Sequence, residues 1–461
     1  MTGDDRTMTK GPPPSRLTLS AFSAPTLPLA ALGLPLVVYL PEYYANHLGL
    51  NLAMVGFAFM AVRFSDIFLD PIFGEMMDRT RTRMGRFRPW MLLNTPILAL
   101  STYMLFMAQK GVGPVYLWFW LAVTYISYSA VILAHTSWGS VLSSDYDQRS
   151  RVYGYWQAGN VIGMILVLAL PPILSAVAHL DYAGGLQAMG WFIVLLLPIT
   201  ILLATKAVGE PVNLAPVAHR PANLKAYFDL FKNDSVRRIM LADLTLGLAP
   251  GITGSLFFFF FEQVKNLNKT QAGLMLLIYF VAALVGAPLW SRLSSSIGKH
   301  KALVFASIVY AATQSALVIW PAVSLPLLAV GLFFAGLPYA AAGVLLRAML
   351  ADVGDEERLR TGIDRTGLLY AVLAGTNKVG YALAVGVTYF GLDALGFKAG
   401  GTDNSPQALV GLQVLYGVLP GLLAIIAAWT VRGYRLDEAS HSAIREALRQ
   451  RDAAQTQQKS A

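Results

Sequence analysis

The chain has 461 residues, of which 56% are hydrophobic and only 13% charged, with no cysteine and a net charge of +9. A soluble domain carries about 25% charged residues, so the balance excludes a soluble globular protein, and the lack of cysteine excludes disulfide, thiol and cysteine-metal chemistry. The excess of positive charge suits anionic lipid headgroups beside basic loops better than nucleic acid.

Residues 1–19 are polar and proline-rich, without the apolar core of a signal peptide. Twelve apolar runs follow, near 20–48, 52–77, 89–109, 114–141, 152–178, 187–206, 236–262, 270–292, 301–321, 324–350, 365–395 and 407–431. A helix needs roughly 20 apolar residues to cross a bilayer, and the longer runs call for tilt or kinks. Short alternating strands, the mark of a membrane barrel, are not visible. The pattern predicts an all-α polytopic membrane protein of twelve transmembrane helices.

Of the 35 Lys and Arg residues, 29 fall in the N-terminal segment, the loops after even-numbered runs and the C-terminal tail. The opposite loops hold 4, namely Lys110, Lys265, Lys269 and Lys398. The positive-inside rule therefore places both termini in the cytoplasm. The longest loop, 207–235, separates a six-helix half at 20–206 from another at 236–432, and 433–461 reads as a solvated cytoplasmic tail. The halves echo each other. Gly74 to Trp90 reads GEMMDRTRTRMGRFRPW and Gly286 to Leu303 reads GAPLWSRLSSSIGKHKAL, each ending in Gly-basic-X-basic. Such a repeat suits a transporter with its solute between two pseudo-symmetric halves.

In chain order, the first chemistry lies in the second run. Asp66 and Asp70 are four residues apart, on one face of a helix. Pro71 follows and frees the carbonyl of Ile67 one turn back. Charges at that depth cost several kcal/mol unless they serve a site. The pair either ties helices together through basic residues or shares a cation or proton, with coupled titrations because like charges so close resist joint ionisation. Arg63 stands one turn before Asp66 as a partner. Lys378, in LAGTNKVGY, lies too deep in the eleventh run for easy snorkelling and is a counter-charge to the carboxylates, with Asn377 beside it.

Aromatic and polar residues mark a second candidate region: His135 and Trp138 in the fourth run, with Trp156, Gln157 and Asn160 in the fifth. Rings stack on a sugar face and amides bond its hydroxyls; the alternative is interfacial anchoring. Glu42 reads as near the outer surface, Asp243 as solvated near a cytoplasmic end, and Phe257–Phe261 as lipid-facing bulk. On the basic side, Asp78, Arg79, Arg86 and Arg88 are expected to exchange salt bridges with Asp145, Asp147, Asp352 and Asp355, with Arg149 nearby, as a cytoplasmic gate. Fixing the topology is the plainer reading.

DPIFGEMMDRTRTRMGRFRPW resembles the signature of the glycoside–pentoside–hexuronide:cation symporters, a branch of the major facilitator superfamily typified by the melibiose permease. Weaker matches are Ala351 to Tyr370 with Lys378-Val-Gly380, and Ser144 to Arg151. The resemblance covers nearly all twelve runs. It implies that Asp66 and Asp70 are the cation-site aspartates, Lys378 the lysine of the eleventh span and Trp138 a sugar-site tryptophan. This chain also departs from the melibiose permease. Ala30 and Ala134 stand where that carrier grips its sugar with carboxylates, its sugar-site arginine falls near Trp156 or Gln157, and Leu69 and Val131 replace oxygen donors of its sodium site. The departures point away from a galactoside and toward a proton.

The expected function is therefore proton-coupled symport of a sugar, glycoside or related small organic solute by alternating access, in a multi-pass plasma membrane protein. Sodium at Asp66 and Asp70, or an amphipathic lysolipid-like solute, are the alternatives. The remaining expectations are a monomer that is not an enzyme, with no cofactor, no other metal, no nucleic acid, and membrane lipids as partners.

Overall fold

The computed structural model describes residues 15–142, 146–210, 229–362, 366–400, 403–434, 436 and 438–460. Side chains are described throughout these except at Asp66, Ile67, Asp78, Ser140, 146–150, Tyr153, 366–367, 438–439 and 452–460. The described residues form α1 (Arg16–His47), α2 (Leu52–Arg79), α3 (Arg88–Phe106), α4 (Pro114–Val141), α5 (Tyr146–Ala178), α6 (Tyr182–Ala207) and α7 (Asp234–Gln263). There follow α8 (Lys269–Ile297), α9 (Lys299–Ile319), α10 (Leu325–Thr361), α11 (Thr366–Ala394), α12 (Pro406–Arg432) and α13 (Glu438–Ser460). Among the described residues the only β pairing is a bridge from Thr82 to Gly85. Among the described residues, eleven helices are long and apolar enough to cross a membrane. The remaining expected span is α3, 19 residues made more polar by Arg88 and Asn94.

Prolines shape the long helices. α1 runs as Arg16–Ser23, Thr26–Gly33 and Pro35–Glu42, broken around Pro25 and Pro35, and ends in a π-turn at Tyr43–His47. α10 breaks at Pro338, between Leu325–Gly336 and Tyr339–Thr361. Each proline removes an N–H from the helix ladder.

The chain folds as two compact units, Met1–Leu36 with Phe68–Ala218, and Val37–Ile67 with His219–Ala461. The division cuts α1 after Leu36 and α2 after Ile67. In the first unit α5 approaches α1 closely, because a Cβ at Gly163 would meet the backbone of Leu27 and one at Gly159 the hydroxyl of Thr26. Small residues at such spacing let membrane helices touch backbone to backbone.

In the second unit α7 is hydrophobic all round and is enclosed. Phe257–Phe261 are all buried, not lipid-facing as their composition suggested. The reason is that partners stand on every side. Tyr39 meets Phe258 at 4.7 Å, Tyr389 meets Phe259 at 5.7 Å, and Tyr416 stacks on Phe260 at 4.0 Å. Close backbone contact helps here too: a Cβ at Gly380 of α11 would lie 3.0 Å from Leu244 O. Glu42 is also enclosed. Lys269 Nζ donates to it at 2.6 Å and Asn46 Nδ2 at 2.8 Å. Lys265, between α7 and α8, donates to Val318 O and Trp320 O at the end of α9, and burial pulls its ammonium below the usual lysine range.

The tail does not stand off as a solvated end. Beyond α12, Tyr434 and Leu436 are buried, and α13 carries a buried Leu448. Arg451 Nη1 donates to Arg358 O of α10 at 3.0 Å. Apolar residues at helical spacing give α13 a face to dock with, which its polar average hides.

Candidate functional site

The two sequence-marked carboxylates straddle the division in α2. Asp66 has no described side chain; Asp70 is half-buried in the first unit. Ser129 of α4 donates its hydroxyl to Asp70 Oδ1 at 2.6 Å. Val131, two residues on, is buried and apolar. Arg63 belongs to the second unit, with its guanidinium carbon 5.6 Å from the centre of the Tyr381 ring. Its expected pairing with Asp66 lies outside the described residues. Lys378, also in the second unit, is half-buried on α11.

The aromatic candidates gather in the first unit. His135 is buried, its Nε2 is 2.8 Å from Phe22 O, and its ring lies 4.6 Å from that of Phe22. Trp138 is wholly buried, edge-on to Phe22 at 5.6 Å and to His135 at 6.5 Å. On α5, Trp156 and Asn160 are half-buried one turn apart, while Gln157 is exposed. Asn377 is exposed on α11 in the second unit. Among the described residues neither Trp138 Nε1 nor Trp156 Nε1 has an acceptor, although both are enclosed. An unmet buried donor costs about 1–3 kcal/mol.

Arg79 is exposed and pairs with Glu75 of its own helix. The loop after α2 closes on itself: Gly85 N–H donates to Thr82 O at 3.1 Å, and Trp90 Nε1 to Thr80 Oγ1 at 2.9 Å. Glu210, beyond α6, accepts from the backbone N–H groups of Arg86 at 2.5 Å, Phe87 at 3.1 Å and Arg88 at 3.2 Å. It thereby caps α3, whose first amides lack helical partners. The Arg88 guanidinium donates to Thr205 O. In the second unit Lys299 Nζ reaches Asp352 at 2.6 Å, and His441 of α13 reaches Asp355 at 2.9 Å and Asp352 at 3.6 Å. Burial, then the charges of Asp352 and Glu356, push the nearby Tyr434 phenol well above its usual range. Asp145 lies outside the described residues, as do the side chains of Asp78, Asp147 and Arg149.

Asp243 is not solvated. It is 7% exposed on α7, and Thr376 Oγ1 of α11 donates to it at 2.6 Å. Asn377 of α11 and Arg347 of α10 also act on it electrostatically. Arg347 sits inside α10. Counting residues from the end of a run misjudges Asp243, because α7 extends well past the bilayer thickness.

The comparisons agree with this architecture. Residues 21–438 match the family model described as MFS/sugar transport protein. The chain is 25% identical to an uncharacterized symporter, YnaJ, of Bacillus subtilis (strain 168), over 90% of each chain. It is 25% identical to an isoprimeverose transporter of Lactiplantibacillus pentosus, covering 87% of this chain and 84% of that one. It is 23% identical to a glucuronide carrier protein homolog of Escherichia coli (strain K12), covering 85% and 87%. Among solved structures, a point variant of the nucleoside transporter NupG superposes with a TM-score of 0.70 at 15% identity, over 91% of this chain and all of the other. An inward-facing bacterial homolog of the human lysosomal transporter Spinster superposes with a TM-score of 0.65 at 15% identity, over 93% and 99%. These two likenesses concern the fold. The chain is a multi-pass membrane protein and a secondary transporter, and it belongs to the MFS/sugar transport protein family, in its glycoside–pentoside–hexuronide:cation symporter branch.

Proposed function

We propose that the chain is a proton-coupled symporter of a sugar, glycoside or related small organic solute, working by alternating access with both termini in the cytoplasm. The observation that carries this reading is Asp70, a carboxylate within a membrane-spanning helix with the Ser129 hydroxyl 2.6 Å away. One turn from Asp66 and followed by Pro71, it is suited to take up and release one positive charge. The transmembrane potential adds about 2.3 kcal/mol per charge per 100 mV, enough for useful accumulation. Lys378 and Arg63 would compensate the deprotonated pair. The enclosed indoles Trp138 and Trp156, with His135, Gln157, Asn160 and Asn377, are the proposed solute contacts. Relatives named for isoprimeverose, glucuronide and sulfoquinovose support a sugar-like solute.

Sodium is the second reading, favoured by the Ser129 oxygen beside Asp70. Uptake of labelled glycosides into proteoliposomes decides between them. Under the proton reading, accumulation follows an imposed pH gradient, and Asp70→Asn abolishes it while retaining solute exchange. Accumulation that follows sodium at fixed pH overturns the proton; normal accumulation in both Asp66→Asn and Asp70→Asn overturns the site.

A further inference from the structure

Asp243 poses a question that the coupling pair does not answer. Its carboxyl is buried within α7, and among the described residues it forms no ion pair. Burying an isolated ionised carboxylate is costly, so the group either neutralises or gathers hydrogen bonds. Thr376 permits both. Its Oγ1 lies 2.6 Å from Asp243 Oδ2 and 2.9 Å from Leu373 O, with one hydrogen to share between two acceptors.

We propose that Asp243 and Thr376 form a proton-binding site in the second unit, built to stay hydrogen-bonded with or without the proton. When Asp243 is ionised, Thr376 turns its O–H to the carboxylate. When a proton arrives from solvent, the new Asp243 O–H donates to Thr376 Oγ1, and the threonine hydrogen swings to Leu373 O. One proton enters and the same proton leaves; no donor or acceptor is stranded in either state. A permanently ionised anchor has no use for the second acceptor. Its neighbours Asn377 and Arg347 are both exposed.

The groups facing Asp243 set the balance. From α11 come Thr376, Asn377 and Tyr381; from α10 comes Arg347. α12, also packed on α7, has no titratable side chain between Tyr416 and Arg432. Arg347, Asn377 and the Thr376 hydroxyl all favour the ionised form, and burial opposes them. The site belongs to a different unit from Asp70, and the proton reading of transport bears only on how it is used, not on whether it binds.

Infrared titration of the reconstituted protein tests it. A protonated-carboxyl band that fades as pH rises should be present in the wild type and in Asp70→Asn, and lost in Asp243→Asn. Thr376→Val should move the fading to higher pH by up to about one pH unit, because the bond lost to the ionised carboxylate is stronger than the one lost to the neutral acid. Thr376→Ser, which keeps the hydroxyl, should restore it, and Arg347→Gln should move it in the same direction as Thr376→Val. An unchanged band in Asp243→Asn overturns the proposal. So does a Thr376→Val titration identical to wild type, and that variant leaves the carboxyl in place should Asp243→Asn fail to fold. Loss of proton-driven uptake in Asp70→Asn with the Asp243 band intact would separate this site from the coupling pair.

Discussion

Gly85 and Gly298 open the same Gly-basic-X-basic pattern, Gly85-Arg86-Phe87-Arg88 after α2 and Gly298-Lys299-His300-Lys301 after α8. Both take left-handed backbone, at φ +103 and +92. Their surroundings differ. The space where a Gly85 side chain would go is filled by the Glu210 carboxylate, whereas a Cβ at Gly298 would meet nothing nearer than the His300 ring at 3.9 Å. The first hinge is held through its backbone, by one carboxylate accepting from three amides. The second is held through a side chain, Lys299 on Asp352. A repeat can thus preserve a backbone turn while each copy recruits a different partner to fix it.

The largest effect should break the first hinge. Glu210→Ala strips the cap from α3 and should lower stability by about 2–3 kcal/mol, since bonds to a buried charge are the stronger kind. Gly85→Ala should do comparable harm, because its Cβ displaces the same carboxylate. The two should be non-additive when combined, as sites sharing one interaction are. Thermal unfolding of the detergent-solubilised single and double variants checks this; simple addition would mean that the glycine and the glutamate act separately.

Gly298→Ala sharpens the comparison. With open space beyond it, the variant bears only the cost of a positive-φ backbone that side chains rarely adopt, about 1–3 kcal/mol, and its midpoint should fall less than that of Gly85→Ala, which bears that cost and the clash with Glu210. Equal falls would show that the Glu210 contact adds nothing. Smaller again is Lys299→Met. It takes the partly exposed ammonium from Asp352, which is itself buried but keeps His441 at 3.6 Å, so a loss of about 1–2 kcal/mol is expected. Proteolysis of the tail should also quicken if Lys299 helps to hold Asp352 toward α13.

Much of this was legible beforehand. Long apolar runs and the bias of Lys and Arg needed only composition, and α2 announced itself because Asp66 and Asp70 are so costly there. Partners distant in sequence were not legible. Nothing near Glu210 marks it as the cap of a helix more than a hundred residues earlier, and Ser129 is an ordinary serine until α4 packs on α2. Asp243 was misplaced because a run length measures apolarity, not how far a helix continues or what covers it. The same lack of neighbours made the Phe257–Phe261 run look like a lipid face. In α13, charge hid a docking stripe of few residues.

The smallest effect is the most informative about the arginines. Arg79 pairs with Glu75 one turn back on α2, and both side chains are largely exposed. Exposed pairs of this spacing contribute about 0.3–0.5 kcal/mol, and salt screens them further. Arg79→Gln should therefore leave the unfolding midpoint almost unchanged, in contrast to Glu210→Ala, whose carboxylate holds the same hinge at Arg86 to Arg88. If the arginine serves a gate, its cost should appear elsewhere, as slower solute exchange with unaltered stability, because a salt bridge made in only one transport state changes the balance between states and not the fold. A midpoint lowered as far as that of Glu210→Ala would instead show Arg79 to be a structural anchor of the first hinge. The contrast between a backbone-held and a side-chain-held hinge would then fail.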